Sequence, residues 1–297
     1  MSRDTGDKSK TADAARGRPS SPPSASRRRA TSYVMATLTA ACAVFAIAVL
    51  LLILGYVAWR GVGSLSWQFL VDTPKPVGEG GGIGNAILGS LVLLALASAM
   101  GLPVGISAGV YLAEFGAGRF GGLVRFVADT LTGIPSIVVG VFVYTIIVLP
   151  TRQFSALAGG VALAVIMIPI VARTTEEMIR LVPASYREGA LALGAPQWRV
   201  TLGVVLPAAA SGIATGVMLA VARISGETAP LLFTALNYKY FSYYLDQPIA
   251  SLTVQIFNYS ISPYEEWHSL AWAATLVLVA LILAINVSVR LLTRKKF

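Results

Sequence analysis

The sequence is poor in the residues that build most disulfides and metal sites. Among its 297 residues it has one cysteine, Cys42, and one histidine, His268. A single cysteine excludes an internal disulfide, and so little thiol and imidazole makes a His/Cys metal site implausible. The sequence also lacks a Gly-rich loop of the Walker type, so we expect the chain to bind no cofactor and to hydrolyse no ATP itself.

Charge is scarce as well. Charged residues make up 12% of the chain and hydrophobic residues 56%, with a mean hydropathy of +0.72, whereas about a quarter of the residues in a soluble domain are charged. The net charge of +9 does not point to nucleic acid, because eight of the 23 basic residues lie before residue 30. That Ser/Pro/Ala/Arg-rich segment, residues 1–30, cannot bury a core and is predicted to be a disordered tail.

Long apolar segments occupy most of the remaining chain, residues 31–297. A membrane-spanning helix needs about 20 mostly apolar residues, and we find six such segments. They are residues 34–58, 87–112, 123–149, 156–172, 206–224 and 269–291. The first is too long for the apolar part of a signal peptide. The sequence therefore predicts an all-α integral membrane protein with six transmembrane helices.

The basic residues also predict an orientation. With both termini inside, the inner segments hold 18 of them and the outer segments four. Lys and Arg concentrate on the cytoplasmic side of membrane proteins. We therefore expect a multi-pass protein of the cytoplasmic membrane with both its N- and C-termini in the cytoplasm and with lipid as its surroundings.

Two glycine-containing patterns lie inside predicted spans. Gly101, Gly105 and Gly109 recur every four residues, which predicts close packing of one helix on another. Gly133-Ile134-Pro135-Ser136 predicts a kink in the third span. Asp129, just before this kink, is interpreted as a helix-end or packing residue.

The predicted cytoplasmic loop, residues 173–207, has helical character. Ser185 and Glu188 have the spacing of a capping box, which predicts a helix from Tyr186 to Leu193 ending at Gly194. Pro196 suits the first turn of a second helix. The first helix is too short to be stable alone, so its apolar residues must dock, either on this protein or in the groove of a partner.

This loop resembles the coupling loop of ABC importer permeases. Glu188-Gly189-Ala190, Gly194, Val204, Leu206 and Pro207 follow that family's spacing, with departures at Gly189, where Ala is expected, and at Val204, where Ile is expected. The resemblance implies that the loop, including Leu191, docks into a cleft of an ATPase subunit and transmits its closure to the spans.

Three further segments are similar to the phosphate importer permeases, and the last of them is closer to the PstA type than to the PstC type. They are residues 133–138, 173–177 and 225–232. The resemblance covers residues 35–295 and implies a type I importer permease fold. It also implies four kinds of partner or surroundings: a PstC-like permease subunit, two ATPase subunits that use ATP and Mg, an extracytoplasmic phosphate-binding protein, and a bacterial inner membrane.

Arg223 is the leading candidate for contact with the anion. It lies about 24 Å along a helix from Pro207, and a charge inside the membrane normally faces a cavity or a partner. Glu227 either forms a structural ion pair with Arg223 or holds it when no anion is present. Thr228 joins them in the predicted substrate path. Arg173 is a second anion candidate, with an interfacial anchor as the alternative.

Three other kinds of protein stay open at this stage. An intramembrane hydrolase is disfavoured, because His268 lies in an outer segment and no lysine lies inside a span. A channel or an ion-coupled carrier would need neither the predicted helical loop nor an ATPase. A permease for sulfate, molybdate or an amino acid would share the fold.

Overall fold

The computed structural model describes residues 25–294, and in that range the chain is helical apart from its connecting loops. The only β-type pairing in this range is an isolated bridge between Pro74 and Gly81. The predicted all-α class is therefore confirmed. The α-helices are α1 Ala25–Val62, α2 Trp67–Val71, α3 Gly84–Glu114, α4 Arg119–Gly133, α5 Ser136–Val143, α6 Leu149–Thr151, α7 Ala156–Arg180, α8 Ala184–Ala192, α9 Gln197–Val200, α10 Leu206–Ser225, α11 Ala229–Thr234, α12 Leu252–Ser260 and α13 Glu265–Arg294.

The described helices account for five of the six predicted spans, and for the remaining one if a bent pair of helices is counted as a single span. Five stretches are long and apolar enough to cross a membrane by themselves: Thr31–Val62, Gly84–Glu114, Ala156–Arg180, Gln197–Ser225 and Glu265–Leu291. The third predicted span consists of two helical stretches, Arg119–Gly133 and Ser136–Thr151, that meet at an angle of 103°. Pro135 explains the break, because it lacks an N–H and forces extended backbone on Ile134. The predicted kink is thus a full break.

Within the described residues the chain divides into two compact units, which meet between residues 55 and 56 of the sequence. In the first unit the side chains from Thr31 to Gly55 are exposed and mostly apolar, which suits a lipid environment. The helix α1 begins at Ala25, before the predicted tail boundary at residue 30. The rest of the predicted tail, residues 1–24, lies outside the described residues.

In the second unit, α3 and α7 pack along a seam of glycines, as the four-residue spacing predicts. Gly101 faces Met167, Gly105 faces Val171 and Gly109 faces Thr175. A Cβ atom added to Gly109 would lie 2.5 Å from Cβ of Thr175 and 2.6 Å from the carbonyl oxygen of Ala172. Only glycine permits so close an approach, so these positions fix how the two helices fit together.

Two π-helical turns, Tyr144–Val148 and Thr201–Val205, widen the helices just before a Leu-Pro pair. In the second turn the amide of Leu206 bonds the carbonyl of Thr201, five residues back. A proline ring clashes with the carbonyl four residues before it, and a widened turn relieves that clash. The helix therefore passes through Pro207 without interruption and runs from Gln197 to Ser225.

The predicted loop 173–207 is consequently shorter than expected. The helix α7 continues beyond the predicted span end at residue 172 and stops at Arg180. The following helix resumes at Gln197 rather than at residue 206. Residues 181–196, which contain α8, are what connects the two long helices.

Candidate functional site

A buried carboxylate, Glu176, lies near the end of α7 among three arginines. Its side chain is only 1% exposed. It accepts hydrogen bonds from Arg125 Nε at 2.7 Å and Arg173 Nη1 at 2.9 Å, and it forms an ion pair with Arg180, whose Nη2 lies 2.7 Å from Oε1. A buried charge is costly unless it is paired and hydrogen-bonded. The three guanidinium groups are therefore what allows Glu176 to be buried.

Arg125, on α4, also closes the end of α3. Its Nη1 and Nη2 groups donate to the carbonyl oxygens of Gly116, at 2.9 Å, and Leu112, at 2.7 Å. The last carbonyls of a helix have no partner inside the helix and favour a nearby cation. Arg125 thus ties α4 to α3 through backbone and to α7 through Glu176.

Arg173, the second anion candidate, is held between two carboxylates. Besides Glu176, it contacts Asp129 on α4, with Nε and Oδ1 2.9 Å apart. Asp129 lies four residues before the end of α4 and its side chain is 55% exposed, so its contact with α7 is an ion pair rather than buried packing. The role of Arg173 in the substrate path stays a prediction, and an anion there would compete with two carboxylates.

Arg187, on α8, makes a second, separate cluster at the ends of α3 and α7. Its Nε and Nη2 groups both donate to Oε1 of Glu114, the last residue of α3, at 3.2 and 2.9 Å. Nη2 also donates to the carbonyl oxygen of Ile179 at 2.9 Å, and Nη1 to that of Val182 at 2.7 Å. Glu114 is 7% exposed and Arg187 24%. One side chain therefore connects three helices.

The helical loop has the predicted hairpin form but a different start. The helix α8 begins at Ala184, its N-cap is Pro183, and no side chain caps it. The predicted Ser185–Glu188 capping box is therefore wrong, because the N-cap is Pro183, two residues before Ser185, and Ser185 lies inside the helix. Gly194 ends the loop's first turn with φ of +79°, as predicted for a left-handed position. Pro196 is the N-cap of α9 rather than its first residue.

The hairpin of α8 and α9, residues 184–200, presents apolar side chains to the outside. Leu193 is 89% exposed, Leu191 50% and Trp198 57%. Glu188 and Gly189 are exposed too, and a Cβ atom at Gly189 would meet nothing within 4 Å. Of the other predicted coupling residues, Ala190 packs half-buried against the protein, Leu206 is half-buried and Pro207 is exposed. The two faces of α8 therefore differ. Ala190 packs on this protein, whereas Leu191 and Glu188 are exposed and available to a partner.

Arg223 lies in the last turn of α10, beside the break between α4 and α5. It lines a cleft with residues from both sides of that break, among them Thr132, Ile134 and Ser136. Among residues 25–294 it has no ion-pair or hydrogen-bond partner for its guanidinium, and the residue is exposed to the cleft. The guanidinium donors of Arg223 are therefore unengaged within the described residues, beside a cleft whose free volume of about 10 Å³ holds about one water molecule in this conformation.

The other two predicted path residues lie just beyond α10. The helix ends at Gly226, as expected from Gly226 and Pro230. Glu227 is half-buried, and its backbone carbonyl accepts a hydrogen bond from Thr253 at 2.9 Å, while Thr228 is the N-cap of α11. In the described chain Glu227 forms no salt bridge with Arg223, so the expected pair is not made in this structure.

Sequence reasoning missed four residues that hold these helices together: Glu114, Arg125, Glu176 and Arg187. The spacing of Glu176 from Arg173 and Arg180, three and four residues, was a signal for ion pairs on one helix face. The partners Arg125 and Glu114 are 51 and 73 residues distant in sequence from Glu176 and Arg187. In the described part of the chain no group of His, Cys, Asp and Glu could hold a metal ion.

Known proteins share both the sequence and this architecture. A family model described as the binding-protein-dependent transport system inner membrane component matches residues 101–297. The chain belongs to this family. As a member, it is a multi-pass membrane transport permease subunit, and its family implies an ATPase and a binding protein as partners.

Within this family, the chain is similar to phosphate transport system permease proteins named PstA. It is 45% identical to that of Yersinia pestis, over 91% of this chain and 92% of the relative. It is 50% identical to that of Xylella fastidiosa (strain Temecula1), over 77% and 80%. The resemblance to phosphate importer permeases is confirmed.

The fold is similar to that of solved importer structures as well. Inward-facing conformations of the MetNI methionine ABC transporter match with a TM-score of 0.57 and 19% identity, covering 72% of this chain and 93% of that chain. This family member therefore has the type I ABC importer permease fold that the sequence predicted.

Proposed function

We propose that this chain is a permease subunit that carries inorganic phosphate inward across the bacterial cytoplasmic membrane by alternating access. The observation that carries the proposal is Arg223, whose guanidinium is unpaired at a break in a membrane span. Irregular backbone at membrane depth is tolerated only where it borders protein or a water-filled cavity. The names of the PstA relatives supply phosphate as the anion.

The cleft has the chemistry of a transient oxyanion site. The planar fork of Arg223 matches tetrahedral oxyanions, and the Thr132 and Ser136 hydroxyl groups lie in the same cleft. The helix that starts at Ser136 has no side-chain cap, so the amides of its first turn also face the region of the break. Glu227 and Thr228 follow α10 at the edge of this path. A passage needs contacts that an anion can leave again.

The energy comes from partner subunits. The α8–α9 hairpin lies on the cytoplasmic side and its exposed residues dock into an ATPase subunit, two of which use ATP and Mg. Glu188, Gly189, Leu191 and Gly194 form the exposed part of that contact, while Ala190, Leu206 and Pro207 connect it to α10. A PstC-like permease forms the other half of the passage, and an extracytoplasmic phosphate-binding protein delivers the anion.

The test is phosphate uptake by the complete transporter carrying Arg223→Gln. Loss of one charge-assisted contact, worth about 1.5–3 kcal/mol, predicts uptake lowered about 10- to 100-fold with normal assembly of the complex. Arg119→Gln is the matched control, because Arg119 is exposed and makes no ion pair among the described residues. Normal uptake by the Arg223 variant would overturn the assignment of this residue.

Competition decides the substrate. Labelled phosphate uptake should be displaced by unlabelled phosphate and not by sulfate or molybdate at the same concentration. Displacement by one of those anions instead would make the chain a permease for that oxyanion. Uptake that persists without any ATPase subunit would point to a carrier or a channel.

A further inference from the structure

Only one face of α8 is fixed to its own protein. Of its nine residues none is buried, and the half-buried ones are Arg187 and Ala190, which lie three positions apart on one helix face. Ala190 makes an apolar contact, whereas Arg187 makes four hydrogen bonds. Because an apolar contact is not directional and hydrogen bonds are, the position of α8 depends mainly on Arg187.

The groups that Arg187 binds are the ends of two long helices. Glu114 is the final residue of α3, and the carbonyls of Ile179 and Val182 flank the end of α7. Both carbonyls lie at the C-terminal end of α7, where a cation is favoured, and that of Ile179 also accepts the amide of Val182 at 3.2 Å. A guanidinium can serve all of these acceptors at once because its donors point in several fixed directions, which an ammonium group cannot do.

The helices bound by Arg187 are tightly packed against each other. The glycine seam brings α3 and α7 into backbone contact, and Arg125 fastens their ends a second time through Glu176, Leu112 and Gly116. Arg187 is therefore the one charged side chain of α8 that attaches this helix to the α3–α7 pair. The long helix Gln197–Ser225, by contrast, follows the hairpin through continuous backbone.

We infer that Arg187 is a positioning residue that transmits the movement of α8 to the α3–α7 pair through Glu114 and the end of α7. The inference rests on the proposed function, because it assumes that an ATPase subunit moves the hairpin. It adds a second route to the direct one through α9 and α10. Without Arg187 the hairpin would still dock on the ATPase, but the α3–α7 pair would no longer follow it.

The test separates transport from nucleotide turnover in the complete transporter, reconstituted in vesicles with its binding protein. Arg187→Gln should lower the number of phosphate ions taken up per ATP hydrolysed about tenfold, within the 5–150-fold range usual for coupling between two sites. Stimulation of ATP hydrolysis by the binding protein should fall with it. A merely structural role would reduce the amount of assembled complex, and so would lower uptake and hydrolysis together without changing their ratio.

Glu114→Gln is the second variant, and it protects the test against a misfolded hairpin. It lies on α3, outside the docking helix, and keeps the shape of the side chain while removing the charge. It should lower the same ratio, and the double variant should be no worse than the more affected single one, because both act on one contact. Arg187→Lys should restore only part of the ratio, since it keeps the charge without the fork. Arg119→Gln serves again as the arginine control.

The outcomes are distinct. If Arg187→Gln and Glu114→Gln both keep the wild-type ratio, the inference is overturned, and it is equally overturned if their effects multiply in the double variant. If Arg187→Gln fails to assemble, the ratio measured with Glu114→Gln decides alone. If the unmodified transporter takes up no phosphate with ATP, the proposed function fails, whatever these variants do.

Discussion

The α3–α7 pair and the α8–α9 hairpin lie side by side but are built on opposite principles. In the pair, glycines let two backbones touch, and a carboxylate is buried among three arginines. In the hairpin, α8 has no buried residue, and Leu191, Leu193 and Trp198 are at least half exposed. One region is complete within this chain, and the other has apolar surface that its own protein does not cover.

This contrast separates a region that stabilises the fold from a region that contacts a partner. Each region contains two arginines, Arg173 and Arg180 in the pair and Arg187 and Arg199 in the hairpin, and charge alone would place them in one basic face. In the pair, the arginines satisfy carboxylates and helix ends, so substitutions there should cost stability. In the hairpin, most side chains have little to lose inside this chain, so substitutions should leave stability nearly unchanged and affect the partner contact instead.

The largest effect is expected at Glu176. Glu176→Gln leaves Arg125 and Arg173 without their shared carboxylate and should lower the free energy of unfolding by about 3 kcal/mol, the lower end for a broken buried pair because the arginines are partly exposed. The thermal unfolding midpoint of the purified transporter should fall by several degrees. The neighbouring Glu177 is exposed, so Glu177→Gln is the control. Equal midpoints for the two variants would contradict the assignment of Glu176 as the centre of the cluster.

A smaller loss is expected in the glycine seam. Gly109→Ala places a methyl group against Thr175 and the carbonyl of Ala172, and we expect a cost of about 2 kcal/mol for this overpacking. In the same assay Gly122→Ala, on α4, should be neutral or stabilising by up to about 1 kcal/mol, because nothing lies within 4 Å of its Cβ position. A midpoint for Gly109→Ala as high as that of Gly122→Ala would mean that α3 and α7 do not touch at this seam.

The smallest effect is expected in the hairpin. Gly189→Ala has open space and should stabilise α8 locally by up to about 1 kcal/mol, which would slow amide hydrogen exchange in α8 about fivefold without moving the thermal midpoint. Ser185→Ala should neither speed exchange nor lower the midpoint, because Ser185 does not cap the helix and alanine has the higher helix propensity. A faster exchange in Ser185→Ala would restore the capping box. A shifted midpoint in Gly189→Ala would contradict the view that the hairpin contributes little to the stability of the whole protein.

Apolar length and backbone chemistry made much of the fold predictable. Runs of about 20 apolar residues identify the spans because lipid imposes that length, and the four-residue glycine spacing located the α3–α7 seam. Pro135 predicted the break in the third span, and Gly194 predicted the end of the first helix of the hairpin. The coupling-loop spacing from Glu188 to Pro207 also pointed to the correct family.

Other features depend on contacts that the sequence does not encode locally. The end of α7 was placed at residue 172 because Arg173, Glu176 and Arg180 interrupt the apolar run, although their mutual pairing keeps the helix intact. The partners of Glu176 and Arg187 come from helices brought together by folding. The missing pair of Arg223 and Glu227 follows from the end of α10 at Gly226, which separates two residues that a continuous helix would have placed one turn apart.

The glycine seam also limits how the passage can change shape. Turned about its own axis by one residue, about 100°, α3 would present Leu102, Ile106 and Val110 where the three glycines now sit, and these side chains would clash with α7. The glycine positions thus allow the two helices to pack closely in only one relative orientation. Opening and closing must then tilt or turn the α3–α7 pair as a whole, and the change of shape must occur elsewhere, at the broken span or where α10 ends at Gly226.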